Sequence, residues 1–224
     1  MDWIPLLSDA TGRFADTVAA GDLDAAVPSC PDWTLADLVV HLGETHLWAA
    51  HAVVDGTPDG NETYDGAPAG LVDWYRDAAA RLVEVLASRD PDEPCWAFGP
   101  SKVTGFWRRR QVHETIVHTY DALASAGRGA AWADGLDPVL AWDGVDEVAT
   151  VFYPRQVRLD RIAPLAGKLR FRATDHEAAP VEIGEGEPVA EVGGPASYLL
   201  LAVWKRAPVD DPVAARLLET AVTP

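Results

Sequence analysis

The sequence predicts a mainly α protein with an α+β part: a four-helix bundle over residues 1–130, then a small α+β domain over residues 131–224. Three observations carry this. Apolar residues recur at three- and four-residue spacings in four segments before Gly127. Loops rich in Gly, Pro and Asp separate those segments. Beyond Gly127 the pattern changes to short runs, one of them strictly alternating.

The first helix is expected over residues 5–20, with Leu6, Leu7, Phe14 and Val18 as its apolar members. The second follows Pro31-Asp32-Trp33: Thr34 can cap it, Asp37 completes a capping-box-like pair, and Leu35, Leu38, Val39 and Leu42 form the stripe. Residues 55–70 read as a long loop. Residues 71–88 return to helix through Leu71, Trp74, Leu82, Val85 and Leu86. Residues 90–105 hold three prolines and two glycines and read as a second long loop, before a long helix at 106–126 that Gly127 ends. Four helices on loops of unequal length suggest an antiparallel bundle. In the second part, residues 138–152 read as a helix and residues 168–174 alternate like a strand. Residues 181–183 and 189–192 are further strand candidates, and Gly193-Gly194-Pro195 breaks the chain before an amphipathic helix at 197–206.

Composition narrows the function classes. With 48% hydrophobic and 24% charged residues, the chain has the balance of a globular protein and not of a disordered one. Nine Trp against five Phe and five Tyr point to aromatic anchors in the core or lining a pocket. A net charge of −17 repels phosphate backbones and anionic lipid, which argues against nucleic acid and membrane partners and favours solubility. Cys30 and Cys95 form no CxxC pair, so a disulfide framework is not expected and a reducing compartment is. The N-terminus lacks the basic start and long apolar run of a signal peptide, and no stretch approaches ~18 consecutive apolar residues. The expectation is a cytoplasmic protein, with its oligomeric state open between monomer and homodimer.

The chemistry-bearing segment is His113-Glu114-Thr115-Ile116-Val117-His118-Thr119-Tyr120-Asp121. On a helix Glu114, His118 and Asp121 fall within one narrow arc, with Gln111 and Trp107 beside it, while Val112, Ile116 and Leu123 face the other way. A Glu and a His one turn apart can reach a common point, which suits divalent metal ligation. A third ligand must come from another element, and His41, at the rim of the second helix's stripe, is the best donor. His46 and His51 lie later on that helix, His113 points away from the arc, and His176 falls in the second part. A His, Glu, His set leaves one coordination position open, the catalytic pattern for zinc. Asp121 could accept from a ligand imidazole and fix its tautomer. The same Glu–His spacing also occurs on ordinary solvated helix faces, so spacing alone leaves both readings standing.

Two stretches carry a resemblance. Cys30-Pro31-Asp32-Trp33-Thr34 with Ala36-Asp37-Leu38-Val39-Val40-His41-Leu42-Gly43 resembles the first signature of the mycothiol-dependent maleylpyruvate isomerase family, which belongs to the DinB-like four-helix metalloproteins. Arg109-Arg110-Gln111-Val112-His113-Glu114-Thr115-Ile116-Val117-His118, then Asp121-Ala122, resembles its second. Asp143-Gly144-Val145-Asp146-Glu147, and Gly194-Pro195-Ala196-Ser197 running to Trp204-Lys205-Arg206, are further and less specific matches. The resemblance implies a DinB-like bundle and a C-terminal α+β domain. It implies zinc at His41, Glu114 and His118, an acidic residue supporting a ligand at Asp121, and a functional arginine at Arg206. Family members commonly carry Gly before that arginine, where this sequence has Lys205. Trp33 and Trp204 read as core aromatics, and Cys30 as a small buried residue and not a nucleophile.

What the resemblance implies chemically is activation of a thiol cosubstrate, mycothiol. A free thiol with pKa near ~8.5 is mostly protonated at neutral pH, and an open metal position ionises it. The sulfur then adds to an electrophile; in a maleylpyruvate-type isomerisation the resulting single bond rotates and elimination releases the trans isomer. Arg206 would clamp a substrate carboxylate. The same start serves a mycothiol S-transferase in detoxification or biosynthesis, and the same ligands serve a hydrolase using metal-bound water. From a different class, a non-catalytic module would keep the metal as a staple. Nickel or iron suit the same donors as zinc.

Overall fold

In the computed structural model, which describes residues 1–60, 63–220 and 222–224, the capping box at Thr34 is complete. Thr34 Oγ1 accepts from the Asp37 N–H at 3.2 Å, and Asp37 Oδ2 accepts from the Thr34 N–H at 2.8 Å. Two donors that a helix start leaves without partners are thereby satisfied. Residues 61 and 62 of the expected 55–70 loop lie outside the described residues. The chain divides into two compact units, Met1–Trp132 and Ala133–Pro224.

The first unit holds α1 (Trp3–Ala19), α2 (Leu35–Val54), α3 (Leu71–Ala87) and α4 (Thr104–Ala124). Helix α1 packs against α3 and α4, and α2 against the same two, so the four enclose one core. Phe14, Val18, Leu38, Leu42, Leu71 and Tyr75 meet there, all buried. Gly43, two residues after His41 and so on the opposite side of α2, permits a close approach of α2 and α3. A Cβ at that position would come within 2.3 Å of the Trp74 ring. Trp48, Trp96, Phe98, Phe106 and Trp107 form a second, aromatic cluster, with Trp107 fully buried and its indole N–H donating to the Trp96 carbonyl at 2.7 Å.

Helix α4 begins two residues earlier than the sequence suggested, because the preceding loop supplies acceptors for its first turn. The Thr104 N–H donates to the Glu93 carbonyl and the Gly105 N–H to the Pro91 carbonyl. At its far end Gly127 adopts φ +69°, and the Arg128 N–H returns to the Leu123 carbonyl. A one-turn helix, α5 (Gly129–Ala133), follows; it was not anticipated.

In the second unit, α6 (Pro138–Glu147) runs through a π turn (Val148–Phe152) into α7 (Tyr153–Arg158), six residues past the expected end. Pro154, the second residue of α7, follows directly on the π turn and does not stop it. The strands β1 (Lys168–Ala173), β2 (Val181–Gly184) and β3 (Val189–Gly194) form a sheet in the order β2-β1-β3. β1 pairs antiparallel with β2, Leu169 opposite Ile183, and parallel with β3, Leu169 opposite Ala190 and Phe171 opposite Val192. Those five side chains are buried. On β1, Lys168, Arg170 and Arg172 pair with Glu182 and Glu191 among the more exposed residues. Helix α8 (Ala196–Val203) packs on both α6 and the sheet. It is not amphipathic as expected: every residue except Tyr198 is buried, because two elements cover it. Helix α9 (Pro212–Leu218), also unanticipated, starts where the Asp211 carboxylate accepts from the Val213 and Ala214 N–H groups.

Candidate metal centre

Arg110, Glu114 and His118 occupy successive turns of α4 and therefore one stripe of its surface. His41 faces that stripe from α2. His41 Nε2 lies 3.5 Å from Glu114 Oε1, and His118 Nε2 lies 3.3 Å from the same oxygen. One ligand atom from each of the three residues lies within 4.8 Å of the others, and the two imidazoles stand edge to face, 5.1 Å between centroids. The group is graded in exposure: His118 and Glu114 side chains are 10% and 16% exposed, while His41 is 38% exposed and leaves the group reachable from solvent on its side.

The surroundings fix the donor atoms. Asp121, fully buried, accepts from His118 Nδ1 at 2.9 Å, which commits Nδ1 and leaves Nε2, facing Glu114, as the nitrogen a metal would take once its proton is released. Ser29 Oγ donates to the other Asp121 oxygen, and Cys30 Sγ lies 3.8 Å from Oδ2. Arg110, 2% exposed, donates to Glu114 Oε2, so only Oε1 faces the imidazoles. Burial works to raise the Glu114 carboxyl, but the Arg110 guanidinium and hydrogen bonds with His118 and His41 outweigh it and hold Glu114 well below the usual carboxylate range. Burial works to lower His118, yet hydrogen bonds to Asp121 and Glu114 push it up to about 9. Two imidazole nitrogens and one carboxylate oxygen, convergent, with a buried acceptor orienting one ring, fit a divalent metal by donor chemistry.

The remaining sequence candidates fall elsewhere. His46 is fully buried; its Nδ1–H donates to Gln111 Oε1 at 2.8 Å, and Nε2 lies 3.3 Å from the Tyr75 hydroxyl, which leaves it without a ligand role. Burial pushes His46 down to about 4, against the hydrogen bond with Gln111. His51 pairs with Asp55 at 2.9 Å, and His113 packs edge-on against Trp3. Trp33 is half-buried and its ring lies 4.8 Å from that of His41, so it touches the site as well as the core, where the sequence had suggested the core alone. Cys30 is likewise only half-buried, against the expectation of a buried residue. Arg110 and Ser29 were missed. Arg110 had a signal, the one-turn spacing to Glu114; Ser29, 92 residues from Asp121, had none.

Arg206 belongs to the second unit, just past α8. Helix α8 ends in a Schellman motif: the Lys205 N–H returns to the Ala202 carbonyl at 3.0 Å and the Arg206 N–H to the Leu201 carbonyl at 2.7 Å. Lys205 takes φ +61° there, the left-handed conformation that glycine adopts without strain. The half-buried Arg206 guanidinium lies 5.8 Å over the Trp204 ring and donates to the Trp204 carbonyl at 2.7 Å. Relief of the left-handed strain outweighs glycine's extra freedom in the unfolded chain, so Lys205→Gly is expected to stabilise the protein by about 0.5–1 kcal/mol in urea unfolding. Unchanged or lower stability would show that the Lys205 Nζ hydrogen bond to the Glu219 carbonyl, at 2.9 Å, matters more.

Residues 5–123 match the family described as the mycothiol maleylpyruvate isomerase N-terminal domain. Two solved structures share the fold over 93% of this chain and 90% of their own. One is a mycothiol-dependent maleylpyruvate isomerase, with TM-score 0.68 and 13% identity; the other is a histidine-to-alanine mutant of that enzyme, with TM-score 0.70 and 12% identity. Comparison with curated proteins finds no match. Among the described residues, no helix is long and apolar enough to cross a membrane.

Proposed function

The chain belongs to the mycothiol maleylpyruvate isomerase N-terminal domain family, and from that membership we propose that it is a metal-dependent enzyme, zinc being the leading metal, acting on mycothiol and a small electrophile. Cis–trans isomerisation of the maleylpyruvate type is the leading reaction. The observation that carries the reading is the convergence of His41, Glu114 and His118 to within 4.8 Å. These three would hold the metal, with Asp121 keeping His118 in the tautomer that presents Nε2. A bound divalent cation supplies the Lewis acidity that ionises a thiol at neutral pH. The exposed side of His41 gives a cosubstrate a way in, and the buried Asp121, itself hydrogen-bonded by the half-buried Ser29, keeps the far side of His118 fixed. We assign Arg206 the role of holding a substrate carboxylate, on the strength of the motif match and its planar donor fork.

An S-transferase would use the same ligands and differ in the electrophile. The separating measurement is maleylpyruvate turnover by metal-loaded protein with and without mycothiol. Isomerisation that requires the thiol supports the leading reading. Conjugate formation with another electrophile, and no isomerisation, moves the assignment to transfer. Thiol-independent ester or amide cleavage would replace both with a hydrolase. A purified chain that takes up no metal, and is unchanged by chelator, would leave a binding module.

A further inference from the structure

Glu114 presents its two oxygens to different partners. Oε1 faces both imidazole nitrogens, at 3.5 and 3.3 Å, while Oε2 accepts from Arg110. Arg110 is held in place: its side chain is 3% exposed, and it lies about one helical turn before Glu114 on α4, so the pair is prealigned by the helix itself. An arginine paired with a carboxylate in a buried place satisfies lone pairs that would otherwise seek another partner.

We propose that Arg110 is a positioning residue that confines Glu114 to single-oxygen ligation and withholds part of its charge from the metal. The proposal rests on the metal-site reading above. A carboxylate shared with a guanidinium is a weaker donor than one given wholly to a cation, so the ion keeps more of its own charge for an incoming thiol. Loss of Arg110 frees Oε2 to chelate and leaves Glu114 buried without its cation, a cost that metal binding then relieves. Both effects run the same way. Arg110 therefore loosens metal binding in order to keep the site open and electrophilic, whereas an arginine that merely braced the helix would tighten it.

The test uses cobalt(II) as the probe, with the protein purified in its presence so that folding does not depend on the pair. Wild type is expected to show the strong visible bands of four-coordinate cobalt. In Arg110→Met those bands should weaken severalfold as a further oxygen binds, and chelator competition should report affinity about tenfold tighter. Arg110→Lys, which keeps a cationic donor, should restore most of the wild-type spectrum. Weak bands in wild type, or an Arg110→Met protein with unchanged bands and equal or looser binding, would overturn the proposal while leaving the metal site intact. Wild type that binds no cobalt at all would remove the metal-site reading itself and the proposal with it.

Discussion

His118→Ala and Glu114→Ala should each purify nearly free of metal where the parent carries roughly one equivalent, with affinity lower by about a thousandfold, the consequence of removing one of three protein ligands. Turnover should fall by about as much or more. The magnitude follows from the chemistry asked of the site. At neutral pH a free thiol with pKa near ~8.5 is only a few per cent thiolate, so loss of ionisation accounts for roughly 30-fold. The remainder comes from loss of the fixed point that holds the nucleophile beside its target. The substitutions differ in what they do to the metal-free protein. His118→Ala leaves Asp121, fully buried, without its imidazole partner, and Glu114→Ala leaves Arg110 buried opposite a methyl group, so both should also lower stability. His41 is more exposed, and His41→Ala should lose metal with the least change in melting temperature of the metal-free form. Metal content by mass spectrometry under native conditions, on protein made without a histidine tag, decides the matter. A full equivalent retained by both Glu114→Ala and His118→Ala would sink the three-ligand assignment.

The parts of this site visible in the sequence are those that depend on a single helix. Glu114, His118 and Asp121 share an arc because α4 is regular from Thr104 to Ala124, and three- and four-residue spacing is the one geometric fact a sequence states outright. Arg110 obeys the same rule and was legible in principle; it went unread because its meaning depends on burial, which spacing does not report. His41 required a guess about which helices face each other: its place at the rim of the α2 stripe made it the best donor, and the family resemblance then pointed to the same residue. Ser29 and Trp33 belong to the turn before α2, and their contacts with Asp121 and His41 follow from how that turn lies against the site. The fold divides likewise. Capped helices and the alternating strand β1 announce themselves, but α5 and α9, at five and seven residues, are too short to establish a period. The misreading of α8 has a different cause: an apolar run bracketed by polar residues resembles an amphipathic helix until one knows that two elements cover it.

Acidity should act on the metal-free and metal-loaded proteins in opposite senses, and His118 sets the direction. In the metal-free protein its pKa rises from 6.5 to about 9, since the hydrogen bonds to Asp121 and Glu114 overcome the effect of burial. A group raised on folding contributes stability that is fully present below 6.5 and disappears as pH climbs through about 9. A metal ligand must give up that proton, so affinity from this residue alone should increase about tenfold per pH unit over the same window. Heating curves without metal should therefore shift down between pH 6.5 and 9 while chelator competition reports tighter binding. His46 governs the other side. Burial lowers it from 6.5 to about 4, so the stability from keeping it neutral is present above 6.5 and lost as pH falls toward 4. For these two groups together the metal-free protein is most stable near pH 6.5. Asp121→Asn, which removes the charge opposite His118 Nδ1 but leaves an oxygen acceptor, should flatten the alkaline arm and leave the acidic one untouched. Metal affinity that does not change between pH 6.5 and 9, or an alkaline arm identical in Asp121→Asn, would mean that the proton released on binding is not held between Asp121 and Glu114.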